Sequence, residues 1–237
     1  MAVVVAHPDD ETLFAGSLLN RLDDGIVIHL TDGAPVDMID ASRLGFATRN
    51  AYAAARAAEL DAALDRLDFR GERRAYGIRD KEAVHGLAAM TRRLVADLAG
   101  AAVVVTHAYE GGHPDHDAAA CAVARAVAAL GQAAPAPVEF ASYCWIDGER
   151  RFGCFWPDPA SPEHRRALDS ADAARVEAAL AAHATQADCF GSWRPTHECW
   201  RAAPIHDFAA PPPPEVTLYD EFGWAINSTQ WRVRAGG

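Results

Sequence analysis

The feature of this sequence that most constrains its fold is a series of short apolar runs that alternate with alanine-rich stretches of helical periodicity. Four runs are continuous enough to be buried strands, and they cover residues 2–6, 26–30, 102–106 and 138–145. The alanine-rich stretches predict helices over residues 12–23, 46–67, 81–98, 115–130 and 171–182. This order predicts an α/β fold with a mostly parallel sheet and helices on both faces.

The length and the charge of the chain narrow its organisation and its partners. With 237 residues and no internal repeat, the sequence favours a single domain over residues 1–237, with a less regular part over residues 190–237. The formal net charge of −11 argues against nucleic acid or an anionic membrane as a partner. The sequence has neither a run of about twenty apolar residues nor a signal-peptide pattern, so we expect a cytoplasmic protein, monomeric or oligomeric. The odd number of cysteines, without a C-x-x-C pair, predicts free thiols.

Histidines and acids are concentrated where the first and third predicted strands end. His7, Asp9, Asp10 and Glu11 follow the first strand, and "HPDHD" at residues 113–117 follows the third. Because ligands bind beyond the carboxyl ends of parallel strands, we expect both loops to open on one edge of the sheet. Two histidines and a carboxylate are a ligand set for catalytic zinc, and other divalent metals accept it. Each acidic segment could instead be a solvated first turn of a helix, but the occurrence of both at strand ends favours the metal site.

The two loops contain the most specific motifs in the chain, "AHPDDE" at residues 6–11 and "HPDH" at residues 113–116. On these motifs the sequence resembles the PIG-L/LmbE family of zinc-dependent N-deacetylases. Three weaker matches are "LTDG" at residues 30–33, R-x-x-E at residues 56–59 and "HATQ" at residues 183–186. The resemblance extends to about residue 190 and implies a Rossmann-like fold.

The resemblance also implies a role for individual residues of these motifs. Three residues would bind zinc or another divalent metal: His7, Asp10 and His116. Asp9 would be the general base that takes a proton from the attacking water. His113 would stabilise the oxyanion or protonate the leaving amine, and Asp115 would orient its ring. Arg56 would hold a hydroxyl or a phosphate of the substrate.

Elementary chemistry agrees with these roles. Hydrolysis of an unactivated amide requires a strong nucleophile, charge stabilisation at the carbonyl oxygen and a proton for the amine. Zinc can lower the pKa of bound water from about 15.7 to about 7 and can polarise the carbonyl. Asp9 stands one residue before a proposed ligand, and His113 stands three residues before another, so both side chains can reach one point.

The segment before "HPDH" departs from some relatives, which place an aromatic residue close to the histidine for oxyanion binding. Here Gly111 and Gly112 occupy those positions, and Tyr109 is four residues before His113. We therefore assign Tyr109 as the candidate for substrate binding in this segment.

Together these observations predict a metal-dependent hydrolase that removes an N-acyl group, acetyl in the first place, from a small-molecule amino sugar or amino-sugar conjugate. Two alternatives stay open: an amidase acting on a thiol conjugate or a natural-product amide, and a non-catalytic binding protein with the same fold. Among the other histidines, His29 and His107 are expected to be structural, whereas His183 either lines the pocket or braces the metal loops.

Overall fold

The computed structural model of the chain describes residues 1–22, 24–213 and 216–236. The strands in these residues are β1 (Ala2–Val5), β2 (Ile26–Pro35), β3 (Glu72–Asp80), β4 (Val103–His107), β5 (Ala136–Phe140), β6 (Tyr143–Ile146), β7 (Glu149–Phe152), β8 (His164–Ala167) and β9 (His197–Ala202). The α-helices are α1 (Asp10–Leu19), α2 (Ile39–Arg43), α3 (Arg49–Arg66), α4 (Leu87–Asp97), α5 (Pro114–Leu130), α6 (Ser170–Leu180), α7 (Ala187–Phe190), α8 (Leu218–Glu221) and α9 (Ser228–Ala235). Short 3₁₀ turns cover Ala83–Gly86, Gly131–Ala133 and Ala184–Gln186.

The main sheet has the strand order β3-β2-β1-β4-β5-β9-β8. Each neighbouring pair from β3 to β5 is parallel, whereas β9 pairs antiparallel with both β5 and β8. β6 and β7 form a separate antiparallel hairpin. The predicted fold class, a mostly parallel sheet within an α/β architecture, is confirmed.

Helices cover both faces of the sheet. Successive side chains of a strand point to opposite faces, so an apolar strand contributes to a core on each side. In β1, Ala2 and Val4 enter the core that includes side chains of α4, α5 and α9. Val3 and Val5 enter a second core with side chains of α1, α3 and α6. All four residues are completely buried, and each buried valine stabilises the fold by about 1.5–3 kcal/mol. This two-sided burial explains why the strand is a continuous apolar run.

Two predicted strands differ from the observed ones. β2 continues through the segment "TDGAP", which the sequence predicts as a loop, and its pairing with β3 is irregular between His29 and Pro35. The predicted strand over residues 138–145 is two strands, because the chain leaves the main sheet after Phe140 and enters the hairpin at Tyr143. The apolar run continues through this break because the hairpin is itself packed against the protein.

Three strands of the main sheet were not predicted at all: β3, β8 and β9. β3 has the sequence "ERRAYGIRD", and only two of its nine residues are buried, Tyr76 and Asp80. It lies at the edge of the sheet, where a strand needs no continuous apolar run and charged side chains are common.

The C-terminal part contains one strand and two short helices, β9, α8 and α9. Pro214, Glu215 and Gly237 of that part lie outside the described residues, as does Asp23 at the end of the predicted helix over residues 12–23. No helix among the described residues is both long enough and apolar enough to cross a membrane.

Candidate active site

The two motif loops lie side by side at the carboxyl edge of the sheet. β1 and β4 are parallel neighbours that end at Val5 and His107, and each is followed by a loop and a helix. Residues of both loops line one cavity of about 780 Å³. The topology therefore brings together the two motifs that are more than a hundred residues apart in the sequence.

The three predicted metal ligands converge beside this cavity, which His7 and Asp10 line. Ligand atoms of His7, Asp10 and His116 all lie within 4.8 Å of one another, and the three side chains are buried. Asp10 lies between the two rings, with Oδ2 at 3.1 Å from His7 Nδ1 and Oδ1 at 3.2 Å from His116 Nε2.

The donor set fits a divalent cation. Both ring nitrogens of His116 are buried without a hydrogen bond of acceptable geometry to any described residue, despite the nearby Asp10 oxygen. Buried polar atoms of native proteins rarely lack a partner, and a cation bound to this set would satisfy one of these nitrogens. Two imidazoles and one carboxylate suit zinc and other divalent first-row metals.

Asp9 adopts a strained backbone conformation beside these ligands. Its φ of 136° lies in a region that non-glycine residues seldom occupy, and such strain is typical of functional sites. Arg56 holds the carboxylate through a 2.8 Å hydrogen bond from its guanidinium to Asp9 Oδ2. Glu11 holds the backbone by accepting a 3.0 Å hydrogen bond from Asp9 N–H. Burial raises the pKa of Asp9 well above its usual value, and the charge of Arg56 opposes that rise.

The contacts of Arg56 differ from the predicted contact with substrate. Besides Asp9, its guanidinium donates to the carbonyl oxygens of Pro8, at 2.7 Å, and Gly33, at 2.5 Å. The side chain is only 4% exposed, although it lines the cavity. Glycine is favoured at position 33, because φ there is positive and a Cβ would displace the guanidinium of Arg56. Arg56 therefore connects two loops and fixes Asp9.

His113 and Asp115 contact each other through the backbone. His113 Nδ1 accepts a 3.1 Å hydrogen bond from Asp115 N–H, so the neutral ring carries its proton on Nε2. Burial lowers the pKa of His113 well below its usual value. The carboxylate of Asp115 instead accepts from the backbone N–H groups of Lys81 and Ala83, and it lies 3.3 Å from His7 Nε2. The predicted role of this carboxylate in orienting His113 thus does not fit its contacts.

Asp80 is a site residue that sequence reasoning missed. It ends the unpredicted strand β3, lines the cavity and places Oδ1 at 3.2 Å from His7 Nε2 and 3.7 Å from His113 Nε2. With His7, His113 and Asp115 it forms a second buried group of possible ligand atoms. The sequence does contain an acid directly after "YGIR". Because the preceding strand is mostly charged, it was not predicted as a strand, and Asp80 was not identified at a strand end.

The candidate tyrosine of the sequence analysis lies outside the cavity lining. Tyr109 is buried in a core with Phe208 and Trp231, and its hydroxyl donates to the carbonyl oxygen of Ala210. This placement does not fit substrate binding, because the phenol is enclosed by protein and already has a partner.

A different tyrosine reaches the site from the hairpin. Tyr143 lines the cavity, and its ring centroid lies 5.0 Å from that of His116. Gly112 makes room for it, since a Cβ on Gly112 would lie 2.1 Å from the carbonyl oxygen of Tyr143. Gly111 and Gly112 thus stand where some relatives have an aromatic residue, and the small size of Gly112 allows Tyr143 of β6 to approach the site.

Three further histidines brace the first motif rather than line the cavity. Glu11 is fully buried, with His29 Nε2 at 3.0 Å and His183 Nε2 at 3.8 Å from its carboxylate oxygens. Burial alone would raise the pKa of Glu11, but the hydrogen bond from His29 and the charges of both histidines lower it to about 2. His107 Nε2 accepts a 3.0 Å hydrogen bond from the backbone of Ala6, which fixes the end of β1.

Comparisons with known proteins bear on these motifs. A family model of PIG-L, described as GlcNAc-PI de-N-acetylase, matches residues 2–127, which is just over half of the chain. No curated protein gave a match.

Several solved structures share the fold. Teicoplanin deacetylase Orf2, in a zinc-inhibited form, is 13% identical with a TM-score of 0.64, over 85% of this chain and 97% of its own. N,N'-diacetylchitobiose deacetylase from Pyrococcus horikoshii is 16% identical with a TM-score of 0.55, over 81% of this chain and 73% of its own. GalB, the 4-carboxy-2-hydroxymuconate hydratase from Pseudomonas putida KT2440, is 18% identical with a TM-score of 0.55, over 87% of this chain and 97% of its own. Since the same fold carries deacetylases and a hydratase, the reaction must be argued from the site.

Proposed function

Because this chain belongs to the PIG-L family, we propose that it is a metal-dependent hydrolase that removes an N-acetyl group from an amino sugar or an amino-sugar conjugate. The observation that carries this proposal is that Asp9 lines the same cavity as His7 and Asp10, whose ligand atoms converge with that of His116. This arrangement supports the assignment of Asp9 as a base beside a proposed cation site. The intact site favours an enzyme over a non-catalytic binding protein.

The proposed cation would be zinc, held by His7, Asp10 and His116, with other divalent metals as alternatives. When bound, it would supply Lewis acidity that makes water a stronger acid and polarises an amide carbonyl. The remaining steps fall to side chains of the chain itself.

Asp9 is the proposed base. Its carboxylate would take a proton from the attacking water as the new carbon–oxygen bond forms. It would then give that proton to the amine nitrogen as the carbon–nitrogen bond breaks, which releases acetate and the free amine. Arg56 leaves one carboxylate oxygen of Asp9 without this ion pair, since the contact is made to Oδ2. General acid–base catalysis of this kind contributes about 10²–10⁴-fold to the rate.

His113 and Tyr143 are the proposed hydrogen-bond donors to the carbonyl oxygen. Of the two roles predicted for His113, oxyanion stabilisation suits the neutral ring better, because its Nε2 proton can be shared but is too weakly acidic to be released. The Tyr143 hydroxyl has no hydrogen-bond partner among the described residues, so it is available to a ligand in the cavity. Donors aimed at the developing oxyanion are typically a large contribution to acyl transfer.

The test is acetate release from a panel of N-acetylated amino sugars and their conjugates by zinc-loaded protein. Release from at least one member, lost in His116→Ala together with bound metal, is the expected result. If protein that retains its metal released acetate from no member of the panel, deacetylation of amino sugars would be contradicted. Release of a different acid from an amide panel would then identify an amidase of another specificity.

A further inference from the structure

The mouth of the active-site cavity carries exposed apolar side chains from two separate segments. Val36 and Ile39, near the start of α2, are 53% and 68% exposed, and Phe222, just after α8, is 51% exposed. All three line the cavity. Single exposed apolar residues are common on proteins, but three at one cavity mouth form a surface suited to an apolar ligand.

Trp224 connects this mouth to the reacting centre. Its half-buried ring lies 4.8 Å from that of His113 and 5.8 Å from that of Phe222, measured between ring centroids. The aromatic surface therefore runs from a proposed catalytic donor to the exposed rim without a break. Ile226 and Leu13 add buried apolar surface to the same lining.

The cationic side chain over Trp224 is already paired. Lys81 Nζ lies 5.1 Å from the centroid of Trp224 and also forms a 3.1 Å ion pair with Asp37. Its charge is therefore compensated, and the platform beside it is available to an uncharged group.

The volume of the cavity leaves room for more than the reacting sugar. About 780 Å³ lies within the 300–1,000 Å³ range of pockets that hold drug-sized ligands. An acetamido sugar whose amide lies at Asp9 and His113 would leave the region between Trp224 and Phe222 for a substituent.

From these observations we propose that the natural substrate carries an uncharged apolar aglycone, aromatic or alkyl, which binds on Trp224 and Phe222 and against Ile39. This inference rests on the proposed function and deepens it, since it names the class of amino-sugar conjugate. Phe222 and Trp224 lie beyond the residues that the family model matches, so the specificity would belong to this chain.

The experiment compares acetate release from the methyl and phenyl β-glycosides of N-acetylglucosamine. Burial of a phenyl ring should raise kcat/KM by about tenfold or more over the methyl glycoside. Phe222→Ser and Ile39→Ser should bring the phenyl-to-methyl ratio towards one. Ile205→Ser is the matched control, because Ile205 is fully exposed outside the cavity lining and its loss should leave the ratio unchanged.

A binding measurement separates this inference from the proposed reaction. The quench of tryptophan fluorescence by methyl and phenyl β-glucosaminide, the expected products, requires no turnover. If the phenyl product bound no tighter than the methyl product, the aglycone site would be overturned even where acetate is released. If it bound about tenfold tighter and Phe222→Ser removed the difference, the site would stand even where no acetate is released.

Discussion

The two parts of this chain contribute differently to one cavity. Residues 2–127, which the family model matches, supply every side chain to which we assign metal binding or the base. The later part supplies mainly walls, including Tyr143, Phe152, Phe222 and Trp224. Metal binding and proton transfer require atoms placed within a few tenths of an ångström, and strand ends offer such placement. Walls need only the correct shape and polarity, so they can come from a hairpin and short helices.

The largest effect that would test this division is expected for Asp9→Asn. The amide keeps the size of the side chain but cannot take a proton, so kcat should fall by about 10²–10⁴-fold. Metal content should be unchanged, because Asp9 is not among the converging ligands, whereas His116→Ala should lose metal as well as activity. Acetate release and metal analysis of the purified variants measure both. A near-normal kcat for Asp9→Asn would remove Asp9 from the role of base.

The same division explains how much of the site could be predicted from sequence. The approach of the two motif loops was predictable because each loop follows a buried apolar strand, whereas the roles of His7, Asp9, Asp10 and His116 came from the family resemblance. Asp80 was not predictable, because its edge strand is mostly charged and gives no apolar run.

Contacts between distant segments were also beyond sequence reasoning. The sequence analysis selected Tyr109, whereas Tyr143 lines the cavity. Tyr143 reaches the site through a hairpin that folds over Gly112, and the residues next to the motif do not predict this contact. For Arg56, the sequence predicts a contact with substrate, whereas in the structure its guanidinium contacts Asp9 and the carbonyl oxygen of Gly33 in β2.

A smaller effect is expected for Arg56→Lys. A lysine can make one of the contacts of the guanidinium but not the planar set that holds Asp9, Pro8 and Gly33 together. Misplacement of the base should lower kcat by about 10- to 100-fold with little change in KM. Arg49→Lys is the matched control, because Arg49 pairs with Asp32 outside the cavity lining.

The opposite kinetic pattern would be equally informative for Arg56. A raised KM with an unchanged kcat would show that Arg56 holds the substrate, as the sequence alone suggested, and would contradict the positioning role.

Tyr143→Phe tests whether the later part of the chain also contributes to catalysis, because Tyr143 lies in that part. Loss of the hydroxyl should lower kcat by about tenfold, less than for a sole oxyanion donor, because His113 would share the charge. Metal content and KM should be the same as in the natural protein. Tyr76→Phe, which removes a hydroxyl bonded to Asp97 outside the cavity lining, is the control. Equal kcat for the two variants would limit Tyr143 to packing.

The smallest effect on turnover is expected at a buried link between the two parts. Glu110 precedes the second motif and accepts hydrogen bonds from Trp156 N–H, at 2.9 Å, and the Arg201 guanidinium, at 3.2 Å. Burial raises the pKa of Glu110 from an ordinary 4.5 to about 8, against the opposing charge of Arg201. The folded state therefore favours the protonated acid. The stability that this proton contributes is complete below pH 4.5 and is lost as the pH rises through about 8.

Glu110→Gln should flatten that decline in stability, because the amide resembles the protonated acid at every pH. The free energy of unfolding, from urea titrations at pH 5 to 8, should fall less steeply in the variant than in the natural protein, by up to about 4 kcal/mol over this range at about 1.36 kcal/mol per pKa unit. Glu149→Gln is the control, since that side chain is exposed on β7 and should leave the slope unchanged. Parallel slopes for Glu110→Gln and the natural protein would mean that Arg201 keeps Glu110 ionised in the fold. In that case the two parts of the chain would be joined by a buried ion pair rather than by hydrogen bonds to a neutral acid.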